Sequence, residues 1–339
     1  MLGESEMIKF GIIGMGLRGR MFADTIAQNP YAEVAAICDL NQTNLNENKE
    51  NYGIKGYIDF EKMISETKLD GIIVTTPDYL HKSPVIKAAE KGIHIMVEKP
   101  FTTNINDALE MHQAIKTSKV KCLVAFENRW TSPFVEAKNA INNGDLGDII
   151  TMNSRLNDTI AVPTKMLKWS KDSSPGWFLL PHTVDMACWL SDKKPIKVFG
   201  VGTKRVLVAK GINTFDSIQA VVTFDDHTNA SFTTSWVLPE SMPQTVDYKY
   251  EIIGENGALY VDTHDQMVHK ASNKYQHVPT IGTPINGKLR AAPSYMLDAF
   301  IDNIRLNTEP IAGSEEALLN TKVVAAIHQS IETGEPVYI

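Results

Sequence analysis

The stretch that most restricts what this chain can become is Gly14-Met15-Gly16-Leu17-Arg18-Gly19, a G-x-G-x-x-G. It stands between an apolar run, Ile8-Lys9-Phe10-Gly11-Ile12-Ile13, and an amphipathic pattern over residues 17–29. An apolar run that enters glycines and leaves with a helical period reads as strand, tight turn, helix. A second apolar run, Val34-Ala35-Ala36-Ile37-Cys38, ends on Asp39, about twenty residues after Gly19. The first glycine permits the turn, the second lets the backbone approach a ligand, and the third lets helix and strand pack closely. The helix start offers N–H groups and the positive end of its dipole to a pyrophosphate. An acid ending the second strand suits the adenosine ribose hydroxyls. Gly14, Gly16, Leu17, Arg18, Gly19 and Asp39 are therefore expected to bind a dinucleotide. Asp39 would repel a 2′-phosphate, and no basic residue follows in Leu40-Asn41-Gln42-Thr43, so NAD is expected. Arg18 and Arg20 keep NADP open, because either could reach a phosphate.

The alternation continues. Helical patterns at 41–52, 60–66, 80–91 and 104–117 separate apolar runs at 70–77, 94–100 and 121–126. Apolar strands alternating with amphipathic helices specify a doubly wound parallel sheet, whose ligand contacts gather at the strands' C-terminal ends. Those ends carry Thr75-Thr76-Pro77 with His81, Glu98-Lys99-Pro100, and Glu127-Asn128-Arg129. Near residue 148 the character changes to short β-rich runs at 197–208, 217–224, 229–237, 248–253 and 258–261, joined by turns such as Gly254-Glu255-Asn256-Gly257. These predict a largely antiparallel sheet. Two helical patterns, 294–306 and 314–333, close the chain, and 264–290 reads as an irregular connection. The fold class expected is α/β: a Rossmann domain over 1–129, then an α+β domain with a large open sheet over 130–339.

At 339 residues the chain can bury two cores. A net charge of −7 gives no reason to expect nucleic acid or an anionic membrane as partner. No apolar run approaches the roughly 18 residues of a membrane span. The N-terminal hexapeptide Met1-Leu2-Gly3-Glu4-Ser5-Glu6 is acidic, unlike a signal peptide. Cys38, Cys122 and Cys188 are scattered without metal spacing, so no metal is expected and a reducing, cytoplasmic setting is.

Two clusters carry chemistry. Lys99 follows a strand predicted at the sheet centre, where an ammonium aimed at the ligand crevice can stabilise a developing alkoxide. Thr75, Thr76, Pro77, His81 and Glu98 are expected around the cofactor. The second cluster is Pro175-Gly176-Trp177-Phe178 followed by a helix from His182 onward. His182 and Asp185 are three apart and share a face, so Asp185 can orient an imidazole that moves a proton.

These residues resemble the Gfo/Idh/MocA family of glucose–fructose oxidoreductase and inositol dehydrogenase relatives. The resemblance rests on the glycine fingerprint, Thr76-Pro77 with His81, Glu98-Lys99-Pro100, and Asn128-Arg129 with Pro133. It continues through Gly144-Asp145-Leu146-Gly147-Asp148-Ile149, His182-Thr183-Val184-Asp185, Ile252 to Leu259 and the closing helices. It implies NAD(P)-dependent hydride transfer on a sugar, cyclitol or related polyol, with Lys99 and His182 on the reacting hydroxyl. By the same resemblance Asn128 contacts the cofactor and Arg129 the substrate, while Trp169 and Trp177 can either line a sugar pocket by stacking or serve as buried core. A homodimer or homotetramer built on the open sheet is implied too. The family aspartate four residues before the histidine is Phe178 here. That departure leaves two alternatives: an enzyme that uses NAD transiently to cleave or modify a sugar bond, and a non-catalytic cofactor-binding sensor.

Overall fold

The N-terminal alternation folds into six parallel strands: β1 (Ile8–Ile13), β2 (Ala32–Cys38), β3 (Lys55–Tyr57), β4 (Gly71–Val74), β5 (His94–Val97) and β6 (Cys122–Val124). Their order is β3-β2-β1-β4-β5-β6. The computed structural model describes residues 7–273, 275–278 and 283–339, so the acidic hexapeptide and part of the 264–290 connection lie outside the described residues. Between the strands run α1 (Leu17–Ile26), α2 (Gln42–Tyr52), α3 (Phe60–Glu66), α4 (Lys82–Glu90) and α5 (Ile105–Ser118). The strands are buried almost throughout, from Phe10 and Ile12 to Ile73, Met96 and Leu123. This is why they read as continuous apolar runs: helices cover both faces of a parallel sheet. Strand order reverses between β1 and β4, and a crevice at their C-terminal ends is where such sheets bind ligands. Asn41 and Asn104 cap α2 and α5 by accepting backbone N–H groups from the first turn.

The second half begins with α6 (Ser132–Asn142), β7 (Ile149–Thr159), α7 (Pro175–Ser191), β8 (Pro195–Thr203) and a single turn, α8 (Val206–Ala209). It continues through β9 (Ser217–Phe224), β10 (Asn229–Leu238), β11 (Val246–Gly254), β12 (Ala258–Asp262), β13 (His269–Ala271) and β14 (Tyr275–His277). The helices α9 (Ala292–Leu306) and α10 (Ser314–Thr333) and the strand β15 (Val337–Tyr338) end the chain. Seven strands form one sheet in the order β12-β11-β7-β10-β9-β8-β15. β7 and β10 are parallel, and the other pairs are antiparallel. One face of this sheet buries Met152, Ala220, Val222, Phe232, Tyr250 and Ile252 with Leu180, Val184 and Ala187 of α7. On the opposite face Phe199, Val221, Ser231, Asn153, Glu251 and Tyr260 line up strand by strand in register. Phe199, Val221 and Tyr260 of that row are exposed.

Three expectations are corrected. The helix expected from His182 already begins at Pro175, where Ser174 Oγ accepts the Trp177 N–H at 3.0 Å. Proline is well suited to the first helical turn. Pro181 misled the reading because an internal proline normally ends a helix, yet α7 runs through it. The run 197–208 is not one strand: β8 stops at Thr203, and Asp216 then accepts the N–H groups of Arg205, Val206 and Leu207 at 2.6–2.8 Å and turns the chain into α8. The supposedly irregular 264–290 contains the β13–β14 hairpin.

The chain divides into two compact units, Met1–Glu127 with Pro284–Leu319, and Asn128–Thr283 with Asn320–Ile339. A single boundary after residue 129 therefore misses that α9 returns to the first unit. There the Phe300 ring centroid lies 6.2 Å from that of Phe10, and Asn29 Nδ2 donates to Asp298 Oδ1 at 2.7 Å. Periodicity shows that α9 has an apolar face, not which core claims it. Among the described residues no helix is long and apolar enough to cross a membrane.

Candidate active site

In the first unit the glycine turn has the shape a dinucleotide requires. Gly14 adopts φ +96°, and a Cβ there would meet the Thr75 carbonyl oxygen at 2.8 Å; a Cβ on Gly19 would strike the Gly14 carbonyl. These two glycines serve the turn itself. Around Gly16 a Cβ would meet nothing within 4 Å, so the backbone there faces open space that a phosphate can enter. The start of α1 has no side-chain cap and no acid in its first turn. Its leading N–H groups thus suit an anion, which is the fit expected of NAD's pyrophosphate. Thr75 Oγ1 donates to the Gly14 carbonyl at 2.5 Å and holds the turn from β4. Thr76 Oγ1 is buried with no hydrogen-bond partner among the described residues, and Pro77 leads into the turn Asp78–Leu80.

Asp39 ends β2 as expected. Its Oδ2 accepts the Met15 N–H at 2.8 Å and Asn44 Nδ2 at 2.6 Å, and its Oδ1 accepts the Asn41 N–H at 2.7 Å. A carboxylate has about four acceptor positions, which leaves capacity for a ribose hydroxyl. Arg18, which could have served a 2′-phosphate, is committed elsewhere. Its Nε pairs with Glu98 and its Nη2 with Glu127 Oε2 at 2.7 Å. Burial pulls its pKa down, but Glu127 and Glu98 together outweigh that and hold the guanidinium above its ordinary value.

Glu98 in turn accepts the Lys99 backbone N–H on Oε2 at 3.2 Å, so the Arg18–Glu98 pair fixes the backbone that carries Lys99. The Lys99–Pro100 bond is cis. His81 is corrected: it is buried, with Nδ1 2.9 Å from the Pro100 carbonyl and Nε2 3.0 Å from the Thr76 carbonyl. It ties two sheet-edge loops together instead of presenting a nitrogen to the cofactor.

In the second unit His182 lies two turns into α7. Asn320 Nδ2 donates to the Pro181 carbonyl at 3.0 Å and the Tyr250 hydroxyl to the Thr183 carbonyl at 3.3 Å, which anchors the helix on both sides of the histidine. Asn128, expected on the cofactor, places its Nδ2 3.3 Å from His182 Nδ1. Arg129 and Asp185 form a buried, two-pronged ion pair, Nε to Oδ2 at 3.0 Å and Nη2 to Oδ1 at 2.6 Å. Helical spacing predicts Asp185 as the orienting partner of His182, and the resemblance implies Arg129 as a substrate contact. The structure gives each carboxylate oxygen a guanidinium donor, and breaking such a pair would strand a buried charge.

Phe178 is part of an aromatic cluster, with ring centroids 6.1 Å from Trp169 and 5.6 Å from Trp236. Trp177 stacks on His328 at 5.0 Å beside a cavity of about 260 Å³ lined also by Lys171, Ser174 and Lys204. Sequence reasoning missed Asn157, Trp236 and Tyr248. Asn157 Oδ1, Trp236 Nε1 and the Tyr248 hydroxyl are buried and have no hydrogen-bond partner among the described residues. Asn157 stands opposite Ser235 and Asp247, and its neighbour Leu156 stands opposite Tyr248, so all three belong to one end of the sheet. Burial pushes the Tyr248 hydroxyl well above its ordinary pKa, so it stays a donor. By the pleat Tyr248 shares the face of Leu156 and Asn157 takes the other, so they lie at one end of the sheet but not on one face. Their one sequence signal is that burial ceases to alternate over residues 156–159, where β7 turns polar.

Comparison with known proteins shows the family. Residues 8–126 match the profile "Oxidoreductase family, NAD-binding Rossmann fold", and residues 134–260 match the "GFO/IDH/MocA C-terminal domain". Scyllo-inositol 2-dehydrogenase (NAD(+)) of Bacillus subtilis is 24% identical over 98% of this chain and 97% of its own. Myo-inositol 2-dehydrogenase of Thermotoga maritima is 26% identical over 75% of each. The crystal structure of scyllo-inositol dehydrogenase from Lactobacillus casei, with bound NAD(H) and scyllo-inositol, superposes with a TM-score of 0.86 at 22% identity, covering 98% of this chain and 99% of that one.

Proposed function

Because the chain belongs to the Gfo/Idh/MocA oxidoreductase family, we propose that it is an NAD-dependent dehydrogenase of a cyclitol, sugar or related polyol. The observation that carries this reading is the open, uncapped helix start at Gly16, served by the Arg18–Glu98 pair that fixes Lys99. Gly14 to Gly19 and Asp39 hold the cofactor, which supplies the hydride acceptor when bound. Lys99 holds the substrate hydroxyl oxygen and stabilises its negative charge. His182 takes the hydroxyl proton on Nε2, and Asn128 governs whether it can. As the structure stands, Asn128 Nδ2 faces Nδ1 and so places the ring proton on Nε2, the form that protonates a carbonyl in the reverse direction; turning the carboxamide over brings its oxygen to Nδ1, keeps the proton there and leaves Nε2 a base. Arg129 and Asp185 position the histidine's helix.

A panel of cyclitols and aldoses with NAD tests the reading by NADH absorbance. Net reduction supports it. Product without net cofactor reduction points to transient redox use, and NAD binding with no turnover points to a sensor; either outcome overturns it. Cofactor choice is a separate expectation. Asp39→Ala should weaken NAD roughly tenfold or more, the worth of a charge-assisted hydrogen bond, while affecting NADP little. Calorimetry that finds NADP tighter on the unmodified chain would defeat the assignment.

The protein works in the cytoplasm as a homodimer or homotetramer. Burial pushes the Cys38 and Cys188 thiols up to about 12, so both stay protonated and unreactive at neutral pH. The sheet face carrying Phe199, Val221 and Tyr260 is what a second copy covers, since exposed apolar sheet invites association. Phe199→Glu combined with Val221→Lys should shift the species seen by light scattering at micromolar concentration to monomer. A monomeric unmodified chain would contradict this.

A further inference from the structure

The expectation of no metal rested on cysteine spacing, but a different set of ligand types meets on the β13–β14 hairpin. His269 and His277 are directly opposed in register, and their rings stack with centroids 4.5 Å apart. Asp265 Oδ1 lies 2.9 Å from His269 Nε2. Ligand atoms of Asp265, His269 and His277 all lie within 4.8 Å of one another. We infer that Asp265, His269 and His277 form a binding site for a divalent transition metal of the zinc class, with water in the fourth position.

Three features support the site beyond proximity. The His264 carbonyl oxygen is 3.2 Å from His277 Nδ1. Donation to that carbonyl puts the ring proton on Nδ1 and leaves Nε2 with its lone pair outward, the arrangement ligating histidines adopt. The His264 ring stands 4.9 Å from that of His277, and its Nε2 is buried with no hydrogen-bond partner among the described residues. Finally, Asp265 and His269 are half exposed, so their side chains are free to turn inward. Bonds of about 2.0–2.1 Å in tetrahedral geometry bring ligand atoms to roughly 3.3 Å, a contraction that rotation of these two side chains supplies. Two imidazoles and one carboxylate favour zinc, nickel or copper over calcium or magnesium, which take oxygen ligands. The metal would pin the chain ahead of β13 to both strands of the hairpin.

The test uses the full chain with any affinity tag removed, titrated calorimetrically with ZnCl₂. One equivalent should bind, and His269→Gln and His277→Gln should each weaken binding at least 10–100-fold, since loss of even an outer-shell partner costs that much. Absence of binding at 100-fold excess zinc, or binding unchanged in both variants, would overturn the site. Should a variant fail to fold, cobalt(II) on the unmodified chain decides. A spectrum of nitrogen and oxygen ligation supports the hairpin, and a thiolate charge-transfer band would assign the metal to a cysteine and refute it. Neither measurement depends on dehydrogenase activity.

Discussion

Replacing Lys99 with alanine is expected to lower turnover by roughly 10²–10³ and leave NAD affinity nearly intact. The size follows from removing a donor aimed at charge that exists only in the transition state. The selectivity follows from the local architecture. The cofactor contacts proposed above lie on the glycine turn and on Asp39, and neither depends on the lysine side chain. The backbone at residue 99 stays fixed in the variant, because Glu98 Oε2 accepts a main-chain N–H and Glu98 Oε1 remains with Arg18. Both kcat and kcat/KM should therefore fall together. Lys99→Arg should recover little of the loss, since a planar fork does not replace a compact ammonium. Near-normal turnover by Lys99→Ala on the true substrate would end the proposed mechanism.

His182→Ala is expected to cost a comparable factor, roughly 10²–10⁴, and to change the pH profile as well. A base must be neutral to accept a proton, so alcohol oxidation declines as pH falls through the histidine's pKa. Without the imidazole that acid limb should flatten. Asn128→Asp supplies a companion measurement. A carboxylate 3.3 Å from Nδ1 favours imidazolium, so the acid limb should move to higher pH while oxidation at alkaline pH persists. An acid limb unchanged in both variants would show that another group takes the proton.

The first sheet could be read from the sequence because its signals are local. A glycine at φ +96°, asparagine caps and uninterrupted apolar strands each announce themselves within a few residues. The parallel, doubly wound layout followed from the βα alternation. What escaped was decided by distant partners. His81 carries no sequence mark that separates a ligand contact from a nitrogen bound to the carbonyls of Thr76 and Pro100. Asp185 looked like a partner for His182 because helical spacing is visible, while Arg129, which pairs with it, comes from a turn 56 positions earlier. Asn157, Trp236 and Tyr248 sit on three strands and share one end only after register is set. Phe178 was legible as a departure, but its packing against Trp169 and Trp236 was not.

The split of the first unit between Met1–Glu127 and Pro284–Leu319 governs how the protein is born. A ribosome working from the N-terminus finishes the six parallel strands long before α9 exists. Until that helix leaves the exit tunnel, Phe10 waits without Phe300, and Asn29 without Asp298. The second unit has its own delay, since its segment Asn320–Ile339 follows α9 in the chain. Neither unit can close early and shelter the nascent chain while the other is being made. Late steps in synthesis therefore complete both, and a stop codon between Pro284 and Leu319 leaves two unfinished cores rather than one sound domain and one damaged one.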